Sequence, residues 1–143
     1  MGLLEYLFID NAQLNMIALT VIRIGIGILF IGHGFLKLKH GKSEWQWTGE
    51  QMKNLGIHFG PLFWGVCAML AELLGGISLS LGLLTRLATP FMAFVMFVAI
   101  VHHLAKGDSY GYISFPLSQL VIFIGLFIAG SGPYSLDYYL FVG

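Results

Sequence analysis

Residues 61–84 read PLFWGVCAMLAELLGGISLSLGLL, about two dozen almost wholly apolar positions with one carboxylate, Glu72, near the middle. A helix of that length spans the ~30 Å hydrocarbon core of a bilayer. Gly65, Ala68, Glu72, Gly75, Gly76 and Leu79 recur at three- and four-residue steps and so form one stripe, with Phe63, Leu70, Leu74 and Leu83 mostly elsewhere on the cylinder. Small residues admit a neighbouring backbone, so the stripe is expected to face other helices and to place Glu72 inside a bundle. A carboxylate at that depth needs a partner or a proton.

Outward from this stretch, the chain repeats the pattern. Of 143 residues, 57% are hydrophobic and 10% charged, where soluble domains carry about a quarter charged. The expectation is an all-α integral membrane four-helix bundle, one domain over residues 1–143, with a short interfacial helix in the first loop. Spans are expected near 16–36, 61–84, 87–105 and 115–130, and the surface helix within 44–55. The first fifteen residues read as an amphipathic, interfacial lead. Without Lys, Arg or a long apolar core, they do not resemble a cleavable signal peptide. Zero net charge argues against a nucleic-acid surface. The single cysteine, Cys67, excludes an internal disulfide and any CxxC redox pair, and its apolar surroundings mark it as inert.

Between the spans, Trp45 and Trp47 suit a headgroup layer, and Thr48 with Gln51 resembles a capping box. Pro90 falls in the first turn of the third expected span, where a missing N–H does least harm. Gln119 is the interior polar group of the fourth. Lys37, Lys39, Lys42, Lys53 and Lys106 fall in the first and third connections, and only Arg86 lies on the opposite side. The positive-inside rule therefore puts the lysine-rich loops in the cytoplasm and both termini outside a cell membrane crossed several times.

Arg23, Gly27, Phe30, Gly34 and Lys37 share a face of the first span. Arg23 and Glu72 fall at similar depth and are expected to meet, directly or through one polar group. They serve either as a structural pair fixing helix register or as a site for an anion or a proton. His33, His102 and His103 fall within about a turn of the lysine-side helix ends. Three imidazoles in one layer could bind a metal, ligate a haem or hydrogen-bond a quinone carbonyl. Adjacent histidines point ~100° apart, so at most one of His102 and His103 faces squarely inward. There is no HxxxH, ExxH or nearby cysteine to make a dedicated metal site. Lys37 reads most simply as a snorkelling, topology-setting residue.

Taken together, Arg23-x3-Gly27, His33-Gly34-x2-Lys37-Leu38, Glu72-x2-Gly75-Gly76 and Leu81-Gly82-Leu83-Leu84-Thr85-Arg86 form a recognisable set. They are followed by Ala99-Ile100-Val101-His102-His103, Gly107-Asp108 and the tail Gly130-Ser131-Gly132-Pro133-Tyr134-Ser135-Leu136-Asp137. In these motifs the chain resembles the DoxX family of small four-span membrane proteins. The resemblance implies a four-helix membrane bundle and a link to quinone-dependent oxidation, since relatives include the DoxD-type subunit of thiosulfate:quinone oxidoreductase. Fold transfers along such a resemblance with more authority than activity.

The expected function is a quinone-linked membrane oxidoreductase, or the membrane subunit of one. Glu72, Arg23 and His103 are its catalytic candidates, and His33, His102 and Lys37 its cofactor-binding candidates. No flavin, Fe–S or haem motif is visible, so electrons would come from a redox partner protein or a diffusible reductant. Two alternatives use the same residues. One is a non-enzymatic module that binds a lipid or small solute or anchors a partner. The other is a proton-coupled transporter, which would need a homo-oligomer because four spans are few for that role.

Overall fold

A computed structural model describes Gly2, Leu3, Glu5 and residues 11–143. Among these, four helices are long and apolar enough to cross a membrane. They are α1 (Ala12–His40), α3 (Pro61–Leu81), α4 (Thr85–Lys106) and α5 (Tyr110–Ala129). Between α1 and α3 lie α2 (Lys42–Glu50) and a 3-10 turn (Gln51–Leu55), and α6 (Leu136–Phe141) closes the chain. Of the lead expected over residues 1–15, positions 1, 4 and 6–10 lie outside the described residues. Its last four positions already belong to α1, whose start is capped by Asn11 Oδ1 accepting from the amides of Gln13 and Leu14.

Three sequence expectations are corrected at the helix ends. First, α2 begins at Lys42, directly after Gly41 at φ 75°, so Thr48 is not a cap. It sits buried inside α2 with its hydroxyl unpartnered. Second, α4 begins at Thr85, so Pro90 is in the second turn and removes the bond that the Arg86 carbonyl would accept. Third, α1 continues four residues past the expected end, carrying Lys37 into the helix body. The helical segment in the first loop is packed into the bundle: a Cβ built on Gly49 meets the Pro61 carbonyl, and one on Gly65 meets the Trp45 carbonyl.

Small residues set the antiparallel register of α1 on α3. A Cβ on Gly27 would strike Ser80 and Gly76, and one on Gly34 would strike the Leu73 backbone, so the two backbones touch along this seam. α4 packs against α3, where Gly75 accommodates Met92, and α5 packs against α4. The core is Phe30, Leu79, Met92, Met96, Phe123 and Leu126, with Phe30 and Phe123 edge to face at 5.0 Å. Gln119 is buried in α5 with its Oε1 unpartnered.

The tail after α5 ties the terminal end together. Leu84 is the one non-glycine among the described residues at positive φ, 52°, a conformation costing ~1–2 kcal/mol. The Asp137 carboxylate accepts from the amides of Leu84 (2.7 Å) and Thr85 (3.3 Å), capping α4 from 52 residues away in sequence. The Asp137 amide in turn donates to the Gly82 carbonyl.

Candidate functional site

The register that joins Gly34 to Leu73 sets which charges meet. Lys37, one turn beyond Gly34 on the same face, reaches Glu72, with Nζ 2.9 Å from Oε1. Glu72 is 3% exposed and its Oε2 has no hydrogen-bond partner, so one carboxylate oxygen is committed and the other is not. A carboxylate this deep is stable only with such a partner.

Arg23 does not meet Glu72. In an antiparallel pair, moving toward the start of α1 is moving toward the end of α3. Arg23 therefore lies about 16 Å along the axis from the level of Glu72, at 1.5 Å per residue. It donates to the carbonyls of Leu79, Ser80 and Tyr134. The last carbonyls of a helix lack intrahelical donors and carry its negative dipole end, so a cation is well placed there. Arg23 is a fastener between α1, α3 and the tail. The Asp137 carboxylate is engaged as the cap of α4.

The histidines do not line one cavity, although the rings of His102 and His103 are 5.6 Å apart. α1 presents Gly27, Phe30 and Gly34 to its neighbours, which turns His33 outward, where its ring lies against Phe30 and Phe115. His102 faces Trp47, and its Nδ1 is 3.2 Å from Asn54 Nδ2. His103 alone reaches the interior cavity described below. Its Nδ1 is 2.7 Å from Asp108 Oδ2, and Tyr112 stacks on its ring. The geometry follows from Gly107 at φ 70°, which ends α4 and folds Asp108 back so that its amide also donates to the His103 carbonyl. The His103 bond, with Lys106 adding to it, holds the Asp108 carboxyl below its ordinary range. Among the described residues, no group of three His, Cys, Asp or Glu is arranged to hold a metal ion.

Lys37, Glu72 and His103 line one cavity of about 390 Å³, a size typical of small-ligand sites. It lies between α3 and α4, above α2 and the 3-10 turn. It exists because the residues facing each other there are small: Cys67, Ala68 and Ala71 on α3, and Ala99 on α4. Trp47, Trp64, Phe91 and Phe94 supply aromatic walls. Besides Glu72 Oε2, two more wall residues bury polar atoms without partners, Thr48 Oγ1 and Trp64 Nε1. Such orphans are costly and uncommon in native interiors. Sequence reasoning missed Thr48, Trp64, Cys67 and Asp108 as site residues. Only Asp108 carried a signal, a glycine turn just after a helix ending in histidine.

Comparison with known proteins places this geometry in a wider set. The DoxX family model matches residues 18–104, which include Lys37, Glu72 and His103. An Escherichia coli K12 protein named "Inner membrane protein YqjF" is 30% identical over 129 residues, covering 87% of this chain and 93% of that protein. A Bacillus subtilis 168 protein named "Putative oxidoreductase CatD" is 28% identical over 127 residues, covering 89% of this chain and 90% of its own length. No solved structure matches the chain.

Proposed function

This chain belongs to the DoxX family of multi-pass membrane proteins, and on that premise we propose that it is a quinone-linked oxidoreductase or the membrane subunit of one. The observation that carries the proposal is the 390 Å³ cavity itself. Its walls are apolar and aromatic, and the Lys37–Glu72 pair and His103 are set into them. The name of the Bacillus subtilis relative points in the same direction.

The residues present fit a quinone ring. Flat apolar walls accept its faces, and polar side chains at separate points of the wall can bond its oxygens. A bound quinone supplies two-electron, two-proton redox capacity, while the protein supplies position and proton handling. Lys37 occupies Oε1 of Glu72, leaving Oε2 free for a further hydrogen bond. Asp108 orients His103 through Nδ1, which leaves Nε2 as the ring nitrogen able to take or give a proton. Arg23 has no part in this scheme. In the same reading the lysine-rich end faces the cytoplasm, so His103 and Asp108 exchange protons with cytoplasmic water.

The test is lipid extraction and mass spectrometry of the purified protein, paired with titration of a short-chain quinone against tryptophan fluorescence, since Trp47 and Trp64 line the cavity. Co-extracted quinone and saturable quenching, lost in Glu72→Gln, are the expected results. Absence of both overturns the reading. Phospholipid as the one stoichiometric ligand would instead favour a non-enzymatic lipid-binding module.

A further inference from the structure

We infer that the cavity receives its ligand sideways from the bilayer, through the cleft between α3 and α4, and that this ligand is an amphiphile with a small polar head and an apolar tail. The inference rests on the cavity being a ligand site, but not on the head being a quinone.

The cavity is closed in depth and open at the side. Its inner wall is buried: Met52, Met96 and Val98 are each under 9% exposed, like Glu72. Its outer rim is not, for Phe91 is 61% and Phe94 46% exposed. Both lie within α4, and across the gap stand half-buried Trp64, Cys67, Ala68 and Ala71 of α3. Each of these helices is long and apolar enough to cross a membrane. A rim on two such helices, made of Phe, Trp, Cys and Ala, opens toward lipid.

The route from the lysine end is narrow, with Trp47, 54% exposed, standing at its edge. There α2 and the 3-10 turn form a floor whose Thr48 and Met52 are buried. Its Gly49 lies so close to α3 that a Cβ would fall 1.6 Å from the Pro61 carbonyl oxygen. A solute coming from water would have to leave it at the Trp47 edge and pass over that close-packed floor. A solute already dissolved in the bilayer meets only apolar side chains until its head reaches Lys37 and Glu72. The volume suits a head of ring size, so a long tail stays in the cleft between Phe91 and Phe94, in contact with acyl chains. The head can accept from the Lys37 ammonium on one side, as a carbonyl or a hydroxyl does, and a hydroxyl can in addition donate to the free Oε2 on the other, which suits a compact oxygen-bearing group.

Cys67 lines the cleft and is the only cysteine in the chain, so the natural sequence carries its own reporter. The full-length protein in liposomes is treated with membrane-soluble N-benzylmaleimide or with a charged sulfonated maleimide supplied to both faces. Each rate is scaled to that of a free thiol. Lateral entry gives at least a tenfold faster scaled rate for the membrane-soluble reagent, and at least a tenfold slowing in Ala71→Phe at unchanged unfolding temperature. Equal scaled rates overturn the inference, as does a Cys67 that reacts with neither reagent until the protein is denatured. Pre-incubation then tests the ligand class. A decyl-tailed, fully substituted benzoquinone or decanol is expected to protect Cys67, and the corresponding tailless molecules at equal aqueous concentration are not. Protection by the tailless molecules overturns the amphiphile. Protection by decanol but not by the quinone refutes the quinone reading while upholding lateral entry.

Discussion

Half-buried Lys37 and fully buried Glu72 form an ion pair, Nζ to Oε1 at 2.9 Å, although Arg23, on the same face of α1, matches Glu72 in depth by sequence alone. Removing one member of a buried pair strands the other at a cost of ~3–5 kcal/mol, and removing both costs far less. Lys37→Met is therefore expected to unfold at markedly lower temperature in detergent, and Lys37→Met with Glu72→Leu to recover most of the loss. Quinone quenching should stay absent in the double variant. If quenching returned with stability, the pair would be structural only.

Arg23 joins three carbonyls from two separate parts of the chain. Hydrogen bonds from a charged group contribute ~1.5–3 kcal/mol each. Arg23→Met is expected to lose at least about 3 kcal/mol in denaturant titration. The quinone dissociation constant of the fraction that remains folded should be unchanged within twofold. A large change in affinity would draw Arg23 back into the site.

Gly65 has no room for a side chain, since a Cβ there falls 1.7 Å from the Trp45 carbonyl oxygen. Gly65→Ala should push α2 off α3, open the cavity floor and weaken quinone quenching at least tenfold. Gly125, with nothing within 4 Å of its added Cβ, is the control. Gly125→Ala should leave binding unchanged and gain up to ~1 kcal/mol from helix propensity.

Asp108 is held below its ordinary carboxyl value, chiefly by the bond to His103. A carboxyl with a lowered pKa in the folded state stabilises that state above the ordinary value. The contribution fades as pH falls through the lowered one. Asp108→Asn should thus unfold at lower temperature than the natural protein at pH 7, and the two should converge as pH drops below the ordinary carboxyl value of 3.8. A gap of constant size down to pH 3 would mean that ionisation of Asp108 plays no part in the contact.

Spans are legible because hydropathy and helix stops are local properties. The apolar run from Pro61 and the glycine–proline stop near Gly130 each place a boundary within a few residues of the observed one. Partnership between charges is not local. Arg23 and Glu72 look level when depth is counted from expected span ends, but the level is set by where Gly27 and Gly34 seat on α3. Lys37 shares the face of Arg23, Gly27, Phe30 and Gly34, but in sequence the apolar run stops just before it, so it reads as a residue of the loop. The three histidines do not share the cavity for a related reason: end-of-helix position says nothing of azimuth, and His33 is exposed, its ring against Phe30 and Phe115. The cavity was invisible in sequence because it is made by small residues facing one another across two helices, and each helix alone reads as ordinary packing.

The tail that caps α4 and accepts from Arg23 also imposes an order on biogenesis. During synthesis Arg23 enters the membrane with the first helix, long before Leu79 exists and 111 residues before Tyr134 does. At ~5–20 residues per second, that interval is on the order of ten seconds. Leu79 and Ser80 supply two of the three carbonyls about halfway through it, and the set is complete only once Tyr134 has been made.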